Sequence, residues 1–254
     1  MKFNETFNRV EMKYVLSEEQ YQAFMNLIRD RITEDAYFYS NILNIYYDTD
    51  SYEVIRHSIE KPKYKEKLRL RSYGVPTMDS TVFVEIKKKF DGRVYKRRIA
   101  LPLREAKAYL DHGIKPTTPV NPQILKEIDF FLKRNPVKGQ MFVAYDREAY
   151  VGKDDNGLRI TIDENLRNRE SGVELEKGME GKQLFDDNRR VVEIKCLGAY
   201  PRWLVEALNS LKIYPASFSK YGSFYKQMVI RNKANDLSKA NKYNDKGAIV
   251  CLPA

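Results

Sequence analysis

The chain is poor in the residues that build most metal centres and nucleophilic sites. Its 254 residues include two cysteines, Cys196 and Cys251, and two histidines. The cysteines lie far apart and no CxxC occurs, which argues against a zinc ribbon or a disulfide framework. His57 has no second histidine nearby to complete a metal pair and reads as structural. No Walker A sequence occurs, so a P-loop ATPase is set aside. No window approaches the roughly 18 apolar residues of a membrane span. The opening MKFNETFNRV lacks the apolar core of a signal peptide, and the expected compartment is the cytoplasm.

What the chain has in quantity is positive charge. Lysine and arginine number 45 against 35 aspartates and glutamates, a net charge of +10 with a pI near 9.3. Such a balance favours polyanionic partners: nucleic acid, anionic lipid, nucleotides or polyphosphate. Charge alone does not choose among them. A hydrophobic content of 43% is enough for a real core.

The basic residues follow a pattern. From Tyr64 to Lys89 the sequence reads as two strands joined by a turn at Gly74-Val75-Pro76. Period-2 alternation puts Lys65, Lys67, Arg69 and Arg71 on one face, opposite Leu68 and Leu70. On the second strand Glu85, Lys87 and Lys89 oppose Val82, Val84 and Ile86. Asp91-Gly92 is a turn signal, and a third strand, Arg93 to Leu101, carries Lys96 and Arg98. The same alternation occurs at Asn8 to Leu16 (Arg9, Glu11, Lys13), at Gly157 to Leu166 (Arg159, Thr161, Asp163) and at Arg190 to Leu197 (Glu193, Lys195). Further strands are expected at Ser40 to Asp48 and Gln140 to Val151. Helices are expected from Ser17, as N-cap, through Arg31, at Leu103 to Leu110, at Pro122 to Lys133, from Pro201 through Leu211, and from Lys220 to about Ile230.

These elements predict an α+β fold of about eight antiparallel strands whose aliphatic face is covered by the helices. The charged face then points away from them. If the sheet closes, that face lines a barrel with a wet, ion-filled interior; if it stays open, the same residues form a solvated face. Glu11, Glu85 and Glu193, interspersed among the cations, would orient them and hold a divalent cation. Asp163 either joins the metal site or pairs with Arg159. Arg9 and Lys65 read as orienting or rim residues, Lys88 and Lys89 as solvated, and Asp146 and Glu148 as exterior.

The segments RVEMKY, KLRLRSYG, FVEIKKK, KRRI, YDREAY, LRITIDENL, VVEIKCLG and SFSKYGSFY, in order from about residue 8 to about residue 228, resemble the VTC domain. This is the polyphosphate polymerase domain of the triphosphate tunnel metalloenzyme (CYTH-like) superfamily. The resemblance implies an eight-stranded antiparallel β-barrel tunnel with a charged interior, occupying residues 1–231, followed by a polar, flexible tail at 232–254. It also implies transfer of the terminal phosphate of ATP to a growing polyphosphate chain with Mn2+ or Mg2+. Lys13, Arg69, Arg71, Lys87, Arg98, Arg147 and Lys220 would be the catalytic cations, and Lys67, Lys96, Tyr145, Arg159, Lys195 and Ser219 would bind substrate. Glu193, with Glu11 and Glu85, would hold the metal.

Two positions depart from the family pattern. The superfamily's first-strand ExExK is here Arg9-Val-Glu11-Met-Lys13, which weakens a triphosphatase reading that needs the full acidic set. Ser217 stands where a lysine is expected two residues before the FSK serine. The expected partners are ATP, inorganic polyphosphate or triphosphate, with a membrane protein as a possible further partner. A tunnel hydrolase and a non-catalytic binding module stay open as alternatives. Nucleic acid is not expected, because the aromatic residues sit on apolar faces and do not alternate with the basic ones as stacking platforms.

Overall fold

The alternating segments form one antiparallel sheet. The structure, a computed structural model, describes residues 9–155 and 157–246, with side chains from 10 to 155 and from 157 to 235. In chain order the elements are β1 (Arg9–Leu16), α1 (Glu18–Ile28), β2 (Ile32–Asp48), α2 (Glu53–Ile59), β3 (Tyr64–Tyr73), β4 (Thr81–Phe90), β5 (Arg93–Pro102), α3 (Leu103–His112), α4 (Pro122–Arg134), β6 (Lys138–Gly152), β7 (Arg159–Arg169), β8 (Lys182–Gln183), β9 (Arg190–Leu197), α5 (Arg202–Ser210) and α6 (Lys220–Lys246). The sheet order is β1-β9-β7-β6-β2-β3-β4-β5, with β8 paired to β7.

Local chemistry explains most boundaries. Ser17 and Gln20 form a reciprocal capping box at the start of α1. The Asn121 side chain accepts the backbone N–H groups of Gln123 and Ile124, with Pro122 opening α4. At the β4–β5 turn Asp91 and Gly92 both adopt positive φ, 45° and 82°, the pairing that a tight two-residue hairpin requires.

The expectation of a closed eight-stranded barrel needs correction. Among the described residues the sheet has nine strands, and no hydrogen-bond ladder joins its edges β1 and β5. It is nevertheless strongly curved. Strands β9, β7, β6, β2 and β3 all stand between β1 and β4 in the hydrogen-bonding order. Even so, the Lys87 ammonium on β4 lies within electrostatic reach of Glu11 and Lys13 on β1 and of Glu193 on β9. The two ends of the sheet thus face each other across a concave trough.

The helices do not all take the aliphatic face. On the convex side α3 and α4 bury Leu103, Tyr109, Ile128 and Phe131 against Leu68, Leu70, Val82 and Val84, while α1 and α5 bury Phe24, Ile28 and Leu204 against Ile160, Ile162, Val192 and Ile194. Helices α2 and α6 pack inside the curve instead. Ile55, Tyr221, Phe224 and Met228 meet Ile42, Tyr46, Met141, Val143 and Val191. The reason lies in β2 and β6, where residues 42–48 and 141–146 are buried without interruption, so both faces of those strands need cover. Helix α6 also runs to Lys246, well past the expected end near Ile230.

Asp48 ties these inner elements together. Its carboxylate accepts the backbone N–H groups of Thr49, Val54 and Ile55 at 2.8–2.9 Å, and the Tyr221 hydroxyl donates to it at 2.8 Å. The Tyr221 ring stacks on Tyr46 at 4.5 Å with an interplanar angle of 13°. His57 Nε2 lies 3.2 Å from the Tyr64 carbonyl.

Candidate functional site: a basic trough

One wall of the trough is built by β2, β3, β4 and β5. Their register sets Tyr46, Arg69, Glu85 and Arg98 side by side, with the row Lys67, Lys87 and Lys96 two residues away. Glu85 is 1% exposed and is enclosed by cations. Arg69 Nε donates to Glu85 Oε2 at 2.7 Å, Arg71 Nε stands 3.7 Å from the same oxygen, and Lys96 Nζ lies 3.1 Å from Oε1 but off the hydrogen-bond direction. Burial would raise the Glu85 pKa, but Arg69, Arg71 and Lys96 outweigh it and bring it down to about 2. Glu85 therefore organises the arginines. With both oxygens facing cations it is poorly placed as the metal ligand anticipated from the sequence.

The arginines are held by further neutral partners. Arg69 NH1 donates to the Tyr46 hydroxyl at 3.3 Å, while Arg71 donates to Asn44 Oδ1 at 3.0 Å and to the Tyr145 hydroxyl at 3.3 Å. Asn44 and Tyr46 were missing from the residues singled out in the sequence. Their alternation within NILNIYYD is the signal that was available, obscured by the apolar residues around them.

The facing wall comes from β1, β9, β7 and β6. Glu193 contacts Lys195 at 2.5 Å and Lys13 at 3.6 Å, and Glu11 lies 3.5 Å from Lys13 and 3.9 Å from Lys195. Burial would raise the Glu193 pKa, yet Lys195, Lys13 and Arg147 hold it far below the usual carboxylate range. Thr161, 3% exposed, is the cross-strand neighbour of Glu193, and its hydroxyl has no hydrogen-bond partner among the described residues.

Where β6 and β7 meet α6, Asp163 is fully buried. It accepts two bonds from Arg147, at 2.6 and 2.8 Å, and a third from Lys220. The Lys220 ammonium also stands 4.4 Å from the Tyr145 ring centre. Ser219 Oγ, at the start of α6, accepts from Lys67 Nζ at 3.4 Å.

Several expected roles change. Arg159, the first residue of β7, pairs with Asp35 at 2.7 Å, so the anticipated Arg159–Asp163 pair does not form. Lys88 is not simply solvated; with Arg97 it anchors Glu127 of α4, at 2.9 and 3.3 Å. Asp146 lies opposite Arg147 but is buried, bonded to Asn41, Asn165 and Arg167. Arg98 is exposed, and its guanidinium stacks 4.4 Å over Phe83. The Arg9 side chain and Cys251 lie outside the described residues.

Lys67 and Lys87 remain uncompensated. Among the described residues neither forms an ion pair with a carboxylate. Burial, reinforced by Lys65, Lys87 and Lys13 against the opposing influence of Tyr46, lowers the Lys67 pKa to about 8. Burial, followed by the competing charges of Glu11 and Lys13, lowers that of Lys87. Lys96 is likewise lowered to about 8 by burial, with Arg71 and Arg69 opposing the influence of Glu85. Lys67 and Lys87, crowded by other cations and without a paired carboxylate among the described residues, form with Lys96 a surface prepared for a multivalent anion.

The fold and this lining define an α+β protein with a curved antiparallel sheet and a basic concave face. The family model for the VTC domain matches residues 8–229, and the chain belongs to that family. Among solved structures, the chain is similar to a Bacillus halodurans protein proposed as an adenylate cyclase, with 14% identity over 83% of this chain and 93% of that one, at a TM-score of 0.50. It is also similar to a Hippeastrum protein proposed as an adenylyl cyclase, whose description gives it a dominant triphosphatase activity, with 16% identity over 86% and 96% of the two chains and a TM-score of 0.46. No curated protein matches the sequence. Among the described residues no helix is long and apolar enough to cross a membrane.

Proposed function

We propose that this domain binds phosphate chains along the trough and transfers the terminal phosphate of ATP to a growing inorganic polyphosphate. The observation that supports this most is the set of uncompensated lysines, Lys67 and Lys87, set beside Arg69, Arg71 and Lys96 and facing Lys13 across the curve. Phosphoryl transfer needs alignment of donor and acceptor and neutralisation of the equatorial oxygens, and no nucleophilic side chain is required. Arg69 and Arg71, already oriented by Glu85, Tyr46, Asn44 and Tyr145, would grip phosphate oxygens with little reorganisation. A chain bound between the two walls would bridge the gap that hydrogen bonding leaves between β1 and β5, completing a tunnel.

The residues present fit a divalent cation in a limited way. Among the described residues no three of His, Cys, Asp and Glu converge as a metal site. Glu193 and Glu11 share Lys13 and Lys195 and would hold Mn2+ or Mg2+ only together with phosphate oxygens, the usual arrangement for magnesium at phosphates. When bound, the ion would supply charge neutralisation at the transferring phosphate. Lys13 and Lys195 would keep Glu193 ionised and directed into the trough.

The test is incubation with ATP and manganese or magnesium, followed by electrophoretic sizing of phosphate polymers. A lengthening ladder is expected. Phosphate release without growth would show a triphosphatase instead, and binding without turnover would leave a polyphosphate- or nucleotide-binding module.

A further inference from the structure

The concave face changes character at the end of β3 and the start of β4. Period 2 continues the row Arg69, Arg71 to Tyr73, and the register sets Phe83 beside Arg71, so these two rings lie on the charged face and correct the expectation that the aromatic residues keep to apolar faces. Tyr73 and Phe83 meet edge to face, with ring centres 5.8 Å apart and planes at 79°. The Arg98 guanidinium lies 4.4 Å above Phe83 and makes no ion pair among the described residues. Neither ring belongs to a buried core cluster, and Tyr73 is 50% exposed.

An exposed ring, a half-buried ring and a stacked guanidinium lie on the inner face directly beyond Arg69 and Arg71, outside every buried core cluster. We propose that Tyr73, Phe83 and Arg98 form a shelf for the base of a nucleoside triphosphate whose phosphates run along Arg69 and Arg71 toward Lys87. The inference rests on the reading of the trough as a phosphate site and names the end at which a nucleotide differs from inorganic triphosphate. Bases stack on aromatic rings and on guanidinium planes, and such stacking tolerates different bases. From Phe83 to Lys87 is four residues of extended strand, about 13 Å, a span suited to a ribose and its three phosphates. The lysines of the row Lys67, Lys87 and Lys96 offer charge but no ring. That gives the trough a nucleoside end and a phosphate end.

The test compares affinities for ATP and for inorganic tripolyphosphate, by calorimetry at one ionic strength, in the wild type and in Tyr73→Ala, Tyr73→Phe and Phe83→Leu. Tyr73→Ala and Phe83→Leu are expected to weaken ATP binding about tenfold with tripolyphosphate affinity unchanged, and Tyr73→Phe to retain wild-type values for both. ATP affinity unaffected by Tyr73→Ala, or an equal loss for both ligands, would overturn the shelf. If the wild type binds tripolyphosphate but not ATP, the shelf fails and the phosphate site stands. If it binds neither, the reading of the trough fails as well.

Discussion

At the scale of single residues, the depressed lysines make a pH prediction whose sign differs for binding and for folding. Lys67 and Lys96, each lowered to about 8, are charged in the folded protein below that pH and neutral above it. A bound phosphate chain would restore their protons, so triphosphate affinity should be nearly level below pH 8 and fall above it, by at most about tenfold per lysine for each pH unit. Ligand-free stability should move the other way between about pH 8 and pH 10, because the unfolded lysines still bind protons that the folded ones have released. Calorimetry from pH 7 to 9.5 at constant ionic strength checks the first, and urea unfolding over the same range the second. Lys67→Met should flatten part of both profiles. Asp163 supplies a different test. Replacing it by alanine leaves Arg147 and Lys220 without their shared counter-ion, which should cost about 3–5 kcal/mol in urea unfolding. Tripolyphosphate should recover part of that loss, and a failure to recover any would place these two cations outside the anion path.

Among the elements, α6 decides how much of the trough is open. Its Tyr221 joins the helix to Asp48 by a hydrogen bond and to Tyr46 by stacking, and Asp48 also caps α2 through backbone N–H groups. Tyr221→Phe keeps the stacked ring and removes one hydrogen bond to a buried carboxylate that retains three others. The expected loss is about 1.5–3 kcal/mol by denaturant unfolding, with tripolyphosphate affinity unchanged. A fall in affinity as large as the fall in stability would mean that the α6 position, and with it Ser219 and Lys220, governs the site directly. The helix also shows why period 2 alone was insufficient. In β3 and β9 the charged and aliphatic faces separate cleanly. In β2 and β6 consecutive apolar residues hide the division, and only the placement of α2 and α6 shows that the inner face is apolar at one end and charged at the other.

For the molecule as a whole, two facing walls should separate binding from turnover. Glu193→Gln removes a negative charge from among Lys13, Lys195 and Arg147, so triphosphate affinity should be kept or rise. Under the proposed function, metal-dependent transfer should fall sharply, since an amide is a poor ligand for a hard divalent cation. Polymer synthesis at the wild-type metal requirement would remove Glu193 from the reaction and leave it as the ion-pair partner of Lys195. Triphosphate affinity in the same variant should still fall with added salt, because cations outnumber carboxylates on the inner face.

Local chemistry written in the chain was enough to specify most of the strands and, where charged and apolar residues alternate, their faces. Alternation reports directly which side chains share a face, so Lys67, Arg69 and Arg71, or Glu193 and Lys195, could be grouped without coordinates. Caps such as Ser17 and Asn121, and the Asp91-Gly92 turn, act over a few residues and were readable for the same reason. Pairing across the curve is not local. That Glu85 is enclosed by Arg69, Arg71 and Lys96, that Arg147 pairs with Asp163 and not Asp163 with Arg159, and that α6 enters the concave side depend on sheet order, curvature and burial. Which opposite charge a buried ion meets is set by the three-dimensional path of distant strands, because desolvation penalises an unpaired charge and the chain satisfies it with whatever the fold brings near.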